Sequence, residues 1–210
     1  MKKIKISAQL VVGLAILVIG GGAVGGEVLL VKWWPAHKQR VADETLAPVP
    51  YHNDSLGLDI EVAAGIYGKV APFPGGVKIS RSKFLGVGPS LTITAQPNPD
   101  KTFDFTPEIL AKWQTRGVME EIPRYSFEHT KINNRDAAMI WQWKDGMMWV
   151  TAHIMSPERI VQADCTPGKE DEALYLQACE QSLRSIKLAG PLPPEANQPQ
   201  GVIELNPRKR

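Results

Sequence analysis

The sequence predicts an α+β protein: an α/β sandwich built on an antiparallel sheet and carried behind a single N-terminal transmembrane helix. Three observations predict it. They are a long apolar run near the start, short alternating strands around a two-residue hairpin signal, and one amphipathic helix near the end.

Residues 1–7 form a short basic tail, and residues 8–31, AQLVVGLAILVIGGGAVGGEVLLV, form the expected membrane span, polar only at Gln9 and Glu27. At about 1.5 Å per residue this run reaches about 36 Å, enough to cross a hydrocarbon layer of about 30 Å. The small residues AVG at Ala23 to Gly25 also fit a signal-peptidase site. The apolar run continues past them through Val31 to Trp33 and Trp34, which favours a retained anchor with its indoles at the headgroups. Lys2, Lys3 and Lys5 before the span nearly balance Lys32, Lys38 and Arg40 after it. The short N-terminal tail sets the expectation of an inner-membrane, single-pass protein with its N-terminus inside and its domain in the periplasm. Gly21 and Gly25, and Gly22 and Gly26, stand four residues apart, so one helix face lacks side chains and can pack against a second copy. Glycine-rich membrane sequence without a partner explains the same spacing equally well.

Residues 32–55 mix charge with three prolines and read as a juxtamembrane tether. Residues 56–188 are of single-domain size, and residues 189–210, with five prolines and a basic end, read as a flexible tail. The 24 basic and 22 acidic residues leave a net charge of +2, which gives no electrostatic reason to expect nucleic acid.

Within 56–188, LDIEV from Leu58 and LTITA from Leu91 alternate apolar and polar residues, as strands with one wet face do. FPGG at Phe73 and GVGP at Gly86 supply turns. A helix is expected from Thr106 as cap, with Pro107 at its first position, Glu108 facing its positive end, Ile109, Leu110 and Trp113 on one face, and Gly117 as its stop.

Asp145-Gly146 marks a hairpin. Its register opposes Trp143 to Met148, Trp141 to Val150 and Met139 to Ala152 on an inward face. The other face then carries Gln142, Lys144, Trp149, Thr151 and His153. Gln142, Trp149, Thr151 and His153 are the candidate partner surface, with Trp149 either an exposed anchor or shielded by a helix of the same domain. Core packing remains the plainer role for the tryptophans.

After a strand near Arg159 to Ala163, the residues Leu176, Cys179, Leu183 and Ile186 share one face of a final helix. Acidic residues 170–172 and the basic pair Arg184 and Lys187 suit its two ends. Cys165, placed in the loop before this helix, and Cys179 are the only cysteines. An exported domain with two cysteines and no CxxC favours a disulfide between them. A buried thiol at Cys179 is the alternative.

Strand, hairpin, strand and a helix ending SLRSIKL resemble the closing part of the Mog1/PsbP-like α/β sandwiches, over roughly residues 103–188. The resemblance is one of pattern, and the first half with IYGKVAPFPGG matches it less well. It implies a binding or assembly role more than an enzymatic one, and no ligand residue carries over.

No GxSxG, P-loop, GxGxxG or HExxH occurs, so no catalytic residue and no cofactor is assigned. Ser90 lies in turn chemistry. His129 and His153 lack the short spacing of a zinc module, so no metal is assigned either. The expected function is a membrane-anchored extracytoplasmic module that binds a protein partner, such as an immunity protein, an inhibitor or an envelope assembly factor. An enzyme with an unrecognised site and an envelope protein dimerising through its span stay open.

Overall fold

A computed structural model describes residues 34–81, 88–168, 172–191 and 202–203. The expected span at 8–31, with Gly21, Gly22, Gly25 and Gly26, lies outside the described residues, as does most of the tail. Among the described residues no helix is long and apolar enough to cross a membrane. The chain divides into two compact units, Met1–Glu44 and Thr45–Arg210.

The described residues of the stretch expected as a tether carry secondary structure. They hold helix α1 (Trp34–Leu46) and strand β1 (Pro48–Asn53). After Pro35 the helix contains no glycine or proline, and its exposed side chains pair at i,i+4: Gln39 donates to Asp43 at 2.8 Å and Arg40 lies 3.8 Å from Glu44. In β1, Pro48 and Pro50 are tolerated because the strand is at a sheet edge. The second compact unit begins at Thr45.

The remaining elements are β2 (Leu58–Ala63), β3 (Lys69–Phe73), β4 (Gly76–Ser80), β5 (Ser90–Pro97), α2 (Pro107–Met119), β6 (Tyr125–Ile132) and β7 (Arg135–Lys144). They continue as β8 (Met147–Met155), β9 (Arg159–Thr166), α3 (Glu172–Ser185), β10 (Lys187–Leu188) and β11 (Val202–Ile203). The protein is α+β with a large antiparallel sheet. Its strand order among the described residues is β11-β6-β7-β8-β9-β5-β4-β3, and a small sheet runs β1-β2-β10.

One face of the main sheet makes the core. Opposed residues of antiparallel strands share a face, so Trp141, Val150, Cys165, Leu91 and Ile79 form one row across five strands, and Met139, Ala152, Ala163, Ile93 and Val77 the next. Helix α3 and the small sheet close over these rows, with Leu58, Ile60, Ala178, Cys179 and Leu183 in the same buried cluster. Polar ties fix α3 at both edges. Trp141 Nε1 donates to Glu180 at 2.7 Å, Arg184 pairs with Glu128 at 2.8 Å, and the Ser185 hydroxyl accepts from the Glu61 amide at 2.8 Å.

Cys165 and Cys179 are joined by a disulfide, with Cα atoms 6.0 Å apart, and both are fully buried. Cys165 stands inside β9, not in the loop expected before the helix, because the strand continues to Thr166. Its side chain therefore points straight at α3, and no folding back of the following loop is needed.

Arg135, only 2 % exposed, closes the exit of the domain. Its guanidinium donates to the carbonyls of Leu188, Ala189, Gly190 and Pro191 at 2.9–3.2 Å. The first residues of the expected flexible tail are thus held by the domain, and Val202–Ile203 pairs with Glu128 and Phe127 on β6.

Candidate binding surface

The hairpin forms in the expected register, with Trp143 opposite Met148, Trp141 opposite Val150 and Gln142 opposite Trp149, and with Asp145 and Gly146 at positive φ. Its second face belongs to two long rows. One row runs Lys78, Thr92, Asp164, Thr151, Ile140, Phe127, and the next Thr94, Gln162, His153, Ala138, His129. The first row begins polar on β4 and turns apolar and buried at Ile140 and Phe127, and the second begins polar on β5, is buried at Ala138 on β7 and ends at half-buried His129 on β6.

Helix α2 explains the gradient. Thr106 caps it through the Ile109 amide, and Pro107 stands in its first turn. Leu110 and Trp113 pack with Phe105, Tyr125, Phe127, Ala138, Ile140 and Met155, a second apolar cluster on this face. Ile109, expected beside them, is exposed. Gly117 does not stop the helix, which runs on to Met119. It is instead a point of close approach to the sheet, where an added Cβ would stand 2.5 Å from the Tyr125 ring.

The four candidate surface residues are therefore divided. His153 lies beneath α2, stacked on Trp113 with ring centroids 4.6 Å apart. Burial pushes its imidazole below the usual range, reinforced by Arg116 and opposed by Asp164. It does not belong to an open surface. Trp149 is half-buried, its Nε1 donating to the Lys144 carbonyl at 3.2 Å and its ring facing the Lys144 ammonium at 5.2 Å. Gln142 lies beside Trp149 in the ladder, half-buried.

Thr151 is in the half of the face that, among the described residues, α2 does not cover. Its hydroxyl donates to Asp164 Oδ1 at 2.8 Å, while Gln162 Nε2 donates to Asp164 Oδ2 at 2.8 Å. With Lys78, Thr92 and Thr94 these side chains make a flat polar mesh across β4, β5, β9 and β8. Sequence reasoning found only the Thr151 column of it. The alternation of Thr92 and Thr94 was visible, but their neighbours in the sheet depend on the long-range β5–β9 pairing.

A second polar pair lies under the α2 side. His129 Nε2 is 2.6 Å from Asp136 Oδ1, and Asp136 Oδ2 accepts the Phe105 amide at 2.8 Å. Burial raises the Asp136 carboxyl above its ordinary value against these two partners. Both oxygens are used in tying the α2 approach to the sheet, so the pair serves packing. Among the described residues no group of three or more His, Cys, Asp or Glu side chains could hold a metal ion.

No protein-family model and no curated protein sequence matches the chain. Solved structures align over part of it. One, from Bacteroides thetaiotaomicron, has a TM-score of 0.39 and 10% identity, covering 67% of this chain and 48% of its own length. The protein of unknown function PA94 from Pseudomonas aeruginosa has a TM-score of 0.36 and 14% identity over 70% of this chain and 99% of its own. LpqN of Mycobacterium tuberculosis, involved in cell envelope biogenesis, has a TM-score of 0.36 and 14% identity over 66% and 88%. The chain thus spans about half the length of the Bacteroides protein.

Proposed function

We propose that this chain is an extracytoplasmic binding module, tethered at the membrane by its N-terminal apolar run, that receives a protein partner on the open half of its main sheet. The observation that carries the reading is the one-sided cover of that face. Helix α2 and its apolar cluster cover β6, β7 and the His153–Met155 end of β8, and the rest of the face presents the Thr151, Asp164, Gln162 mesh flanked by Thr92, Thr94 and Lys78. A flat surface of fixed donors and acceptors suits a protein partner better than a small ligand, which needs concavity. The buried disulfide supports an oxidising compartment.

Two measurements test the reading. A photo-crosslinking residue at Thr92 or Gln162, in the full chain in its native envelope, is expected to give one discrete adduct that is absent when the residue replaces exposed Glu108 on α2. Equal adducts from both surfaces, or none, reject the partner surface. An alkaline phosphatase fusion after Leu188 is expected to be active, and an inactive fusion rejects the topology.

A further inference from the structure

Apart from the short β11, the main sheet ends at β6 on one side and at β3 on the other. The two edges differ in kind. β3 is five residues long and contains Pro72, whereas β6 runs eight residues, Tyr125–Ile132, without a proline. A long proline-free edge presents a row of amides and carbonyls that a further strand can join.

The β6–β7 turn fixes which of these groups face outward. Asn133 and Asn134 both have positive φ, as in the two-residue turn whose flanking pair, here Ile132 and Arg135, exchanges both ladder bonds. Alternation along the ladder then directs the amides and carbonyls of Thr130, Glu128 and Ser126 toward β7 and leaves those of Lys131, His129, Phe127 and Tyr125 on the outer edge. Among the described residues that edge is paired by β11 alone, with Ile203 opposite Phe127 and Val202 opposite Glu128. Of the four outward positions β11 therefore uses Phe127 and leaves the others.

The tail sequence is a poor strand. Gly201 precedes Val202, and the same register continued would set Pro199, which has no amide hydrogen, opposite Lys131. Proximity helps it instead. Arg135 holds the Pro191 carbonyl at 2.9 Å, and residues 192–201 lead from there to β11. A short flexible tether gives an effective concentration on the order of a millimolar, which favours a weak strand over a dilute competitor and still lets a better strand displace it.

We propose that the β6 edge accepts an extended strand of a partner protein, antiparallel and with free amides opposite Tyr125, Phe127, His129 and Lys131, and that β11 holds the edge until that strand displaces it. Main-chain pairing supplies the affinity, so the partner is defined by a run of extended backbone without proline at those alternate positions. This edge is separate from the polar mesh on β4, β5, β9 and β8.

The test uses the full chain and a fluorescent peptide of residues 200–206, QGVIELN, carrying Gly201→Thr to strengthen the strand. In the chain, Ile203→Pro removes the amide that faces the Phe127 carbonyl. This variant is expected to keep its melting temperature and to bind the peptide about tenfold more tightly than the wild type, the equivalent of one net hydrogen bond. Val202→Pro, whose amide faces away from β6, is expected to bind the peptide as the wild type does. N-methylation of the peptide at its isoleucine is expected to weaken binding by about tenfold or more. Peptide addition is expected to slow amide exchange at His129 and Lys131 and to leave β3 unchanged. Absence of binding to Ile203→Pro, equal binding to Ile203→Pro and the wild type, equal binding of the N-methylated peptide, or protection in β3 instead each overturns the assignment. A wild-type dimer that is lost in Ile203→Pro would give the edge to the tail of a second copy and also overturn it. The Thr92 crosslink is expected to be unchanged in Ile203→Pro, so failure of either site is read separately.

Discussion

The indole of Trp113 lies against the imidazole of His153, centroids 4.6 Å and planes 17° apart, and this contact joins α2 to the centre of the main sheet. Phe105 meets the same indole edge-on at 5.0 Å. Aromatic pairs of this kind add to the area they bury. Trp113→Ala is expected to destabilise the domain by about 3–5 kcal/mol, read as a lowered denaturation midpoint. A loss under about 1 kcal/mol would show that α2 is held elsewhere.

The same burial makes the contact pH-dependent. The folded-state pKa of His153 is depressed below the unfolded value of 6.5. Its contribution to stability is therefore complete above the unfolded pKa and is lost as pH falls through the folded one. His52, raised by Asp59 and Asp54, acts with the opposite sign in an exposed position. Comparison with His153→Phe isolates the buried group. From pH 7 to pH 5 the wild chain is expected to lose melting temperature relative to the variant, and parallel curves would refute a neutral buried imidazole.

The disulfide links β9 to α3 across 14 residues. Closing a loop of this size contributes about 3 kcal/mol in the chain-entropy model. The double variant Cys165→Ala, Cys179→Ala is expected to lose about that much, and unreduced digests of the native protein are expected to give one cross-linked peptide. Two freely alkylated cysteines would remove the link.

Legibility in the sequence followed the range of the interactions. The Asp145-Gly146 hairpin, the Thr106 cap and the apolar face of α3 rest on neighbours within a few residues, and the alternation that sets them is local. What α2 covers is set by Gly117 meeting Tyr125 and Trp113 meeting His153, contacts that no periodicity encodes. His153 consequently looked like a surface residue on a polar strand face. Arg135 was equally hidden. Its partners are four carbonyls in a stretch whose glycine and prolines suggest a loose tail. The prolines of β1 misled in the same way, since proline marks an edge strand as readily as a tether.

Arg135→Met tests that clasp. The four carbonyls of residues 188–191 lose a charged donor, and hydrogen bonds to charged groups contribute about 1.5–3 kcal/mol. Arg135→Lys is expected not to rescue, because an ammonium cannot span the spread of acceptors that a planar guanidinium reaches. In both variants the amide of Ala189, which donates to the Gly57 carbonyl at 2.9 Å, is expected to exchange faster with deuterium. Unchanged exchange there would mean that the exit is held by β10 alone.

Gly117→Ala sets two effects against each other within one residue. In an exposed helix interior, alanine is favoured over glycine by about 1 kcal/mol. Here the new Cβ would stand 2.5–2.6 Å from Tyr125 ring and Cβ atoms, well inside van der Waals contact. Tyr125 cannot step aside freely, because its hydroxyl donates to the Trp113 carbonyl in the same helix and its ring is buried in the α2 cluster. Overpacking of this kind costs about 1–3 kcal/mol, so the helix gain is expected to be outweighed and the midpoint to fall. The apolar cluster on the β6–β7 half should loosen first, giving faster exchange in α2 than in α3. A rise in stability on Gly117→Ala would show that α2 stands off the sheet, and with it the division of this face into a covered and an open half would be lost.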